Sequence, residues 1–444
     1  MTQTSTPEAG HHHTPGEKFR HFLHLESTGG VFLMVATVIA LILANSPARD
    51  VVYDFWHAHA VVQFGPVTID ESLAHWVNDA LMAIFFFVAG LEIKRELVVG
   101  ELRDPQRAAL PAVAALGGMV VPALIYTLIN VGGDGANGWG IPLATDIAFA
   151  VAVLAMVGKG LPSSLKVFLL SLAIADDIGA VMVIALFYSS SISFTWLGIA
   201  GGLVAVVMVM KRLDIWFVPA YVLVGVGLWV AMFESGVHAT LAGVILGLMA
   251  PAIARRPDPT TVDVEATTPF GVVREVLVDA KETVPVTDRL IHILHPWTAF
   301  VILPLFALAN GGVAISGSGL ADAATSPVTV GIVFGLVLGK VVGIVFATRL
   351  AVSAGLGKLP DGISWTAVTG VALLAGIGFT VSLFITGLAF DDPGIQDNAK
   401  IGVLSASALA ATLGSVVLRK AAAQAASASE DSVEAADENE PALV

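Results

Sequence analysis

The sequence predicts an all-α polytopic membrane protein with twelve transmembrane helices, and three observations carry that prediction. Of its 444 residues, 56% are hydrophobic and 13% charged, against about 25% charged in soluble domains. The apolar residues gather into about a dozen runs near the ~20 residues that cross a bilayer core as a helix. Lys and Arg then collect in alternate connections between those runs, as the positive-inside rule requires.

Apolar windows between charged or turn-rich breaks place spans at 27–45, 72–97, 107–130, 141–158, 164–189, 194–211, 215–232, 236–250, 290–310, 328–351, 364–389 and 397–419. Span 72–97 is long and ends in the charged stretch LEIKRE, so it projects into water. Spans 141–158 and 236–250 are short for a full crossing. With the N-terminus inside, the inside segments hold all of the 22 Lys and Arg residues except Arg49, Lys400 and the intraspan Lys340. A wrong span count would scramble this division, so both termini are expected in the cytoplasm.

The chain divides into a polar cytoplasmic N-terminus (1–26), a membrane domain (27–420) and an acidic tail (421–444). The N-terminus lacks the apolar core of a signal peptide, and its His11, His12 and His13 read as a disordered end rather than a metal site. The tail carries six acids and no base from Gln424 onward, and is expected to be disordered. Outside loops such as VGGDGANGWG and AFDDPGIQDN are short and turn-rich. The long inside loop 251–289 reads as a linker, with FGVVREVLVDA a candidate short amphipathic helix. The chain has no cysteine, which excludes disulfides and thiolate metal sites.

Function is sought in the ionisable residues that lipid should exclude. Asp79, Asp146, Asp176, Asp177 and Lys340 fall within spans; Glu92, His238, His292 and His295 lie nearer span ends. A carboxylate at the centre of a membrane helix costs about 2.5–3.5 kcal/mol on insertion scales, and such residues usually mark an ion or proton pathway. Adjacent acids on a helix point about 100° apart, so Asp176 and Asp177 cannot face one direction. Lys340 is the cation available as a partner within a span. Neighbouring acids whose protons leave in separate steps suit proton exchange.

Two spans carry signs of interruption. Pro142 lacks an amide donor and precedes Thr145 and Asp146, while Gly376 and Gly378 weaken the helix in LLAGIGFTVSLFITG by about 1 kcal/mol each. These are the fourth and eleventh spans, each the middle of a triplet (about 107–189 and 328–419). The triplets enter from opposite sides, an inverted repeat by topology. Broken helices in matching places of two halves point to a transporter's central site.

Six stretches then carry a resemblance: WVNDALMAIFFFVAGLEIKREL (76–97), PLATDIAFAVAVL (142–154), LAIADDIGAV (172–181), GVHATLAGVILG (236–247), LHPWTAFVILPLFALANGGV (294–313) and LAGIGFTVSLFI (374–385). Together, in order from about residue 18 to 420, they resemble the NhaA-type sodium/proton antiporters, a family already known for its inverted repeat. The resemblance implies twelve helices with the broken fourth and eleventh crossed. It implies that Asp177 and Asp176 hold sodium or lithium and protons, with Asp146 and Thr145 close by and Lys340 paired with Asp176 when sodium is absent. Glu92, Arg95 and Glu96 match a cytoplasmic cluster tied to pH response, and His238 and His292 match residues that affect it. Asp79 matches a transport-sensitive acid near the outer side. Ile291 departs from the pattern, standing where enterobacterial members carry an acid, so that cluster is expected to lack a member.

The expectation is therefore an electrogenic secondary antiporter of the bacterial inner membrane, not an enzyme. It exports sodium (or lithium) for protons and serves pH and sodium homeostasis by alternating access. No cofactor or nucleic acid is expected; membrane lipid is, and the family's habit implies a homodimer. An intramembrane aspartyl protease would need a G-x-G-D motif, which the sequence lacks. A cation channel would need a ring of like ligands, and a sodium-coupled importer would need polar residues for its solute; neither is visible.

Overall fold

The computed structural model describes residues 26–64, 67–158, 160–189, 192–213, 215, 217–253, 285–360 and 362–437. The N-terminal histidines and most of the long loop lie outside the described residues. Helix α1 (Glu26–Ala44) is followed at 113° by α2 (Arg49–His57) and an antiparallel hairpin, β1 (His59–Phe64) and β2 (Val67–Ser72). This hairpin departs from the all-α expectation. Its sequence alternates on both sides of the Gly-Pro pair at 65–66, which is a strand signal.

The helices then run α3 (Leu73–Val98), α4 (Pro105–Ile129), a 3-10 arm (Ala136–Leu143) and α5 (Ile147–Val157), α6 (Ser163–Phe187) and α7 (Phe194–Arg212). Next come α8 (Val218–Glu234), α9 (Leu241–Met249), α10 (Val286–Asn310), α11 (Gly317–Thr325) and α12 (Pro327–Ser353). The chain closes with α13 (Trp365–Leu374), α14 (Phe379–Ala389) and α15 (Pro393–Asp437). Among the described residues seven helices are long and apolar enough to cross a membrane, or ten if each bent pair counts as one span. Helices α8 and α9, which coincide with two further apolar windows, are shorter, at 17 and 9 residues.

Helix α15 runs on to Asp437, into the acidic segment expected to be disordered. The reason is compositional: RKAAAQAASASEDSVEAAD is rich in Ala, the strongest helix former, so charge did not melt it.

Lipid is as apolar as leucine, so no hydrophobic force drives these helices together, and close packing must do so instead. Glycines provide it. A Cβ on Gly90 of α3 would lie 2.7 Å from the Val244 carbonyl of α9, and Gly243 and Gly247 press back on α3 in the same way. Gly117 of α4 and Gly343 of α12 meet backbone to backbone. Among the described residues three long helices contain a π turn: Val77–Leu81 in α3, Thr298–Ile302 in α10 and Phe334–Gly339 in α12.

Three apolar cores result among the described residues, and two of them flank the broken helices. One gathers Ile141, Ala144, Leu336, Phe379 and Leu383; the other gathers Val151, Leu169, Leu172, Val371 and Ile377. The 3-10 arm and α14 contribute to the first, α5 and α13 to the second. The breaks between these arms fall on the seam between the cores.

Candidate functional site

The seam is polar because both breaks expose backbone groups there. The 3-10 arm and α5 meet at 41°, α13 and α14 at 45°. Pro142 closes the arm one residue before its end. Gly376 sits in the other break because a side chain would strike the Leu336 carbonyl, and Gly378 because a Cβ would lie 3.0 Å from the Ala144 carbonyl. Gly376 is thus required by close approach, and Gly378 is tightly packed, rather than either being set by an unusual backbone angle.

The two breaks are bonded to each other. Asp146 N–H donates to the Ile377 carbonyl at 2.6 Å, Thr145 Oγ1 to the Ala375 carbonyl at 2.8 Å, and Ser382 Oγ to the Ile141 carbonyl at 2.7 Å. Asp146 caps α5 by accepting from Phe149 N–H at 2.9 Å, and its other oxygen accepts from Thr380 N–H of α14 at 3.1 Å. One buried carboxylate therefore serves the positive N-terminal ends of both α5 and α14, the polarity a helix N-terminus favours.

The negative ends receive hydrogen donors. Lys340 Nζ bonds Asp176 Oδ2 and the Leu143 carbonyl that ends the 3-10 arm, and reaches Thr145 Oγ1 at 3.2 Å. Thr145 Oγ1 also lies 2.7 Å from Asp176 Oδ2. Its single proton serves either that carboxylate or the Ala375 carbonyl, at the C-terminus of α13. Lys340 and Asp176 are 0% and 1% exposed. The second oxygen of Asp176 and one oxygen of half-buried Asp177 are inaccessible and have no hydrogen-bond partner among the described residues. Such an atom is costly to bury, so its surroundings suit a proton or a cation. Among the described residues no three His, Asp or Glu side chains converge. A cation held here would draw on carbonyl and hydroxyl oxygens as well.

The remaining residues divide between two ends of the bundle. At the end where α3 finishes, Arg95 Nε pairs with Asp288 Oδ1 of α10 at 3.1 Å, and Glu96 accepts from Glu101 N–H at 3.1 Å. Glu92 and His292 lie on the same two helices. Asp288 was not foreseen. It stands one turn before Ile291 and gives Arg95 an acidic partner on α10. At the opposite end, beside the hairpin, His238 Nε2 donates to the Tyr188 carbonyl at 2.6 Å. The structure therefore does not bring His238 together with Glu92, Arg95 and Glu96. Asp79 lies in the π turn of α3 near this end, where its carbonyl accepts from Trp229 Nε1 at 2.9 Å. Next to it Asn78 and Asn310 exchange amide hydrogen bonds of 3.2 and 2.8 Å between α3 and α10.

Residues 20–418 match the family model described as Na+/H+ antiporter 1. The chain belongs to that family. It is 47% identical over 406 residues to the Na(+)/H(+) antiporter NhaA 3 of Frankia alni, covering 90% of this chain and 88% of that one. It is 46% identical over 415 residues to the Na(+)/H(+) antiporter NhaA of Rhodopirellula baltica, with 89% and 92% covered. The NhaA antiporter of Serratia proteamaculans is 45% identical over 405 residues, with 90% and 97% covered. Membership in this antiporter family and the long apolar helices make the chain a multi-pass membrane protein.

Proposed function

We propose that this protein is a secondary antiporter that exports sodium or lithium in exchange for protons, using Asp176 and Asp177 as a shared site. The observation that carries the reading is the setting of Lys340: its ammonium rests among oxygens of Asp176, Thr145 and Leu143, and on the helix of Asp176 the next residue, Asp177, has a carboxylate oxygen left without a donor among the described residues. Alkali cations are hard and choose carboxylate, carbonyl, hydroxyl and water oxygens, so the set holding the ammonium also suits sodium. Asp177 and Asp176 would bind the cation with help from Thr145 and Asp146, while Lys340 returns to Asp176 when the cation leaves. Protons compete for the same carboxylates, which couples the two fluxes without a further device.

Twelve crossings, counting α8 and α9, would place both termini in the cytoplasm and the hairpin outside. The two broken helices would cross at the seam, and rocking of the helices around it would expose the site to each side in turn. Glu92, Arg95, Glu96 and His292 would tune the response to pH from the cytoplasmic end, and His238 from the outer end. Location in the bacterial inner membrane and a homodimer complete the reading.

Proteoliposomes with an entrapped pH-sensitive dye test it. Sodium or lithium should drive proton flux in the native protein and not in D177N; equal flux in the two would reject Asp177 as the site.

A further inference from the structure

The 3-10 arm, Ala136–Leu143, carries the Leu143 carbonyl into the site, yet its eight residues form a long run of a helix type whose hydrogen bonds are too poor to sustain it alone. It depends on anchors from neighbouring helices. Tyr126 of α4 donates to the Gly135 carbonyl at 2.7 Å, just ahead of the arm. Tyr188, the first residue beyond α6, does more. Its hydroxyl donates to the Asn137 carbonyl at 2.8 Å and accepts from Gly140 N–H at 3.0 Å. Its ring lies so close over Gly140 that a Cβ there would sit 2.8 Å from Tyr188 Cε2. Trp139 stacks on the same ring with centroids 6.4 Å apart, and its indole meets Phe187 edge-on at 5.0 Å. From the other side, His238 fixes the Tyr188 backbone.

We propose that Tyr188 is a positioning residue: its hydroxyl latches the outer arm of the broken helix to the helix that bears the paired acids. This rests on the antiport reading above. Tyr188 lies eleven residues beyond Asp177, about 16 Å along the axis of α6. Arm and acid helix therefore move as one body while the latch is closed. Opening it lets the arm drift, and with it the Leu143 and Thr145 oxygens that complete the cation site. The acids themselves stay in place. Loss of the latch should therefore weaken sodium binding more than it slows turnover.

The chain has no cysteine, so a single introduced thiol reports on the arm cleanly. Ile141 is 0% exposed on the arm. In detergent, I141C should react slowly with a maleimide, and adding Y188F should speed labelling at least fivefold. In proteoliposomes, Y188F should raise the apparent KM for sodium five- to tenfold and change the maximal rate less than twofold. G140A, which pushes the ring away, should do the same, and the double variant should be no worse than the stronger single, since both break one interaction. If Y188F does not accumulate, G140A carries both measurements. Unaltered labelling with an unaltered KM, or a fall in maximal rate at constant KM, would overturn the latch. A native protein without sodium-driven flux would refute the antiport reading instead, and the labelling result would still decide the latch.

Discussion

Lys340 and Asp176 meet with side chains 0% and 1% exposed, whereas Arg95 and Asp288 meet with 53% and 31% exposed. Both pairs join one long helix to another, and both oppose one base to one acid. What differs is the medium. Water screens the Arg95 pair and solvates either partner when the other is gone. The Lys340 pair sits between two apolar cores, where a lone charge has no such refuge. An exposed pair of this kind adjusts a helix contact; a buried one makes each partner depend on the other.

The comparison is sharpest if one partner is removed. K340A leaves Asp176 buried beside an empty volume, and breaking a buried pair costs about 3–5 kcal/mol. Its melting temperature in detergent should fall furthest of the variants named here, and K340A/D176A should recover part of that loss. A double variant no more stable than K340A would show that the acid was never left stranded. Next comes T145V, which removes a hydroxyl bonded to both charges. Hydrogen bonds to charged groups contribute about 1.5–3 kcal/mol, so thermal unfolding should show an intermediate drop. D146A removes a helix cap, worth about 0.5–2 kcal/mol, and D146N, which keeps an accepting oxygen, should lie closer to the native protein. The smallest effect belongs to D288N, about 0–1 kcal/mol. That effect should shrink in high salt, whereas the K340A effect should not. Equal salt sensitivity would erase the distinction between the two pairs.

The acids and Lys340 were legible in the sequence because lipid makes an intraspan charge an anomaly that needs a reason. Pro142, Gly376 and Gly378 were legible for a related cause: each interrupts a run that hydrophobicity alone would continue. Their partners were not. The Leu143 and Ala375 carbonyls belong to the backbone, which every residue carries, so no side chain announces them. Tyr188 looks like any aromatic residue at a helix end. The hairpin did leave a trace in the alternation of residues 59–72, but a polar loop between spans hid it. Asp288 carried no signal of its own, because an acid at a helix end in a polar loop is ordinary, although it shares a helix face with Ile291 three residues on. His238 lies in the connection between α8 and α9 and Glu92 on α3, so no spacing in the chain told which end of the bundle each occupies.

The π turn at Phe334–Gly339 ends immediately before Lys340. A wide turn of this type takes in one more residue than an ordinary one, which rotates everything after it by about 100°. The bearing of Lys340 toward the aspartates is thus set by a surplus residue upstream. A chain one residue shorter in that turn would keep the same greasy pattern, cross the same bilayer, and aim its ammonium away from the ions it is meant to answer.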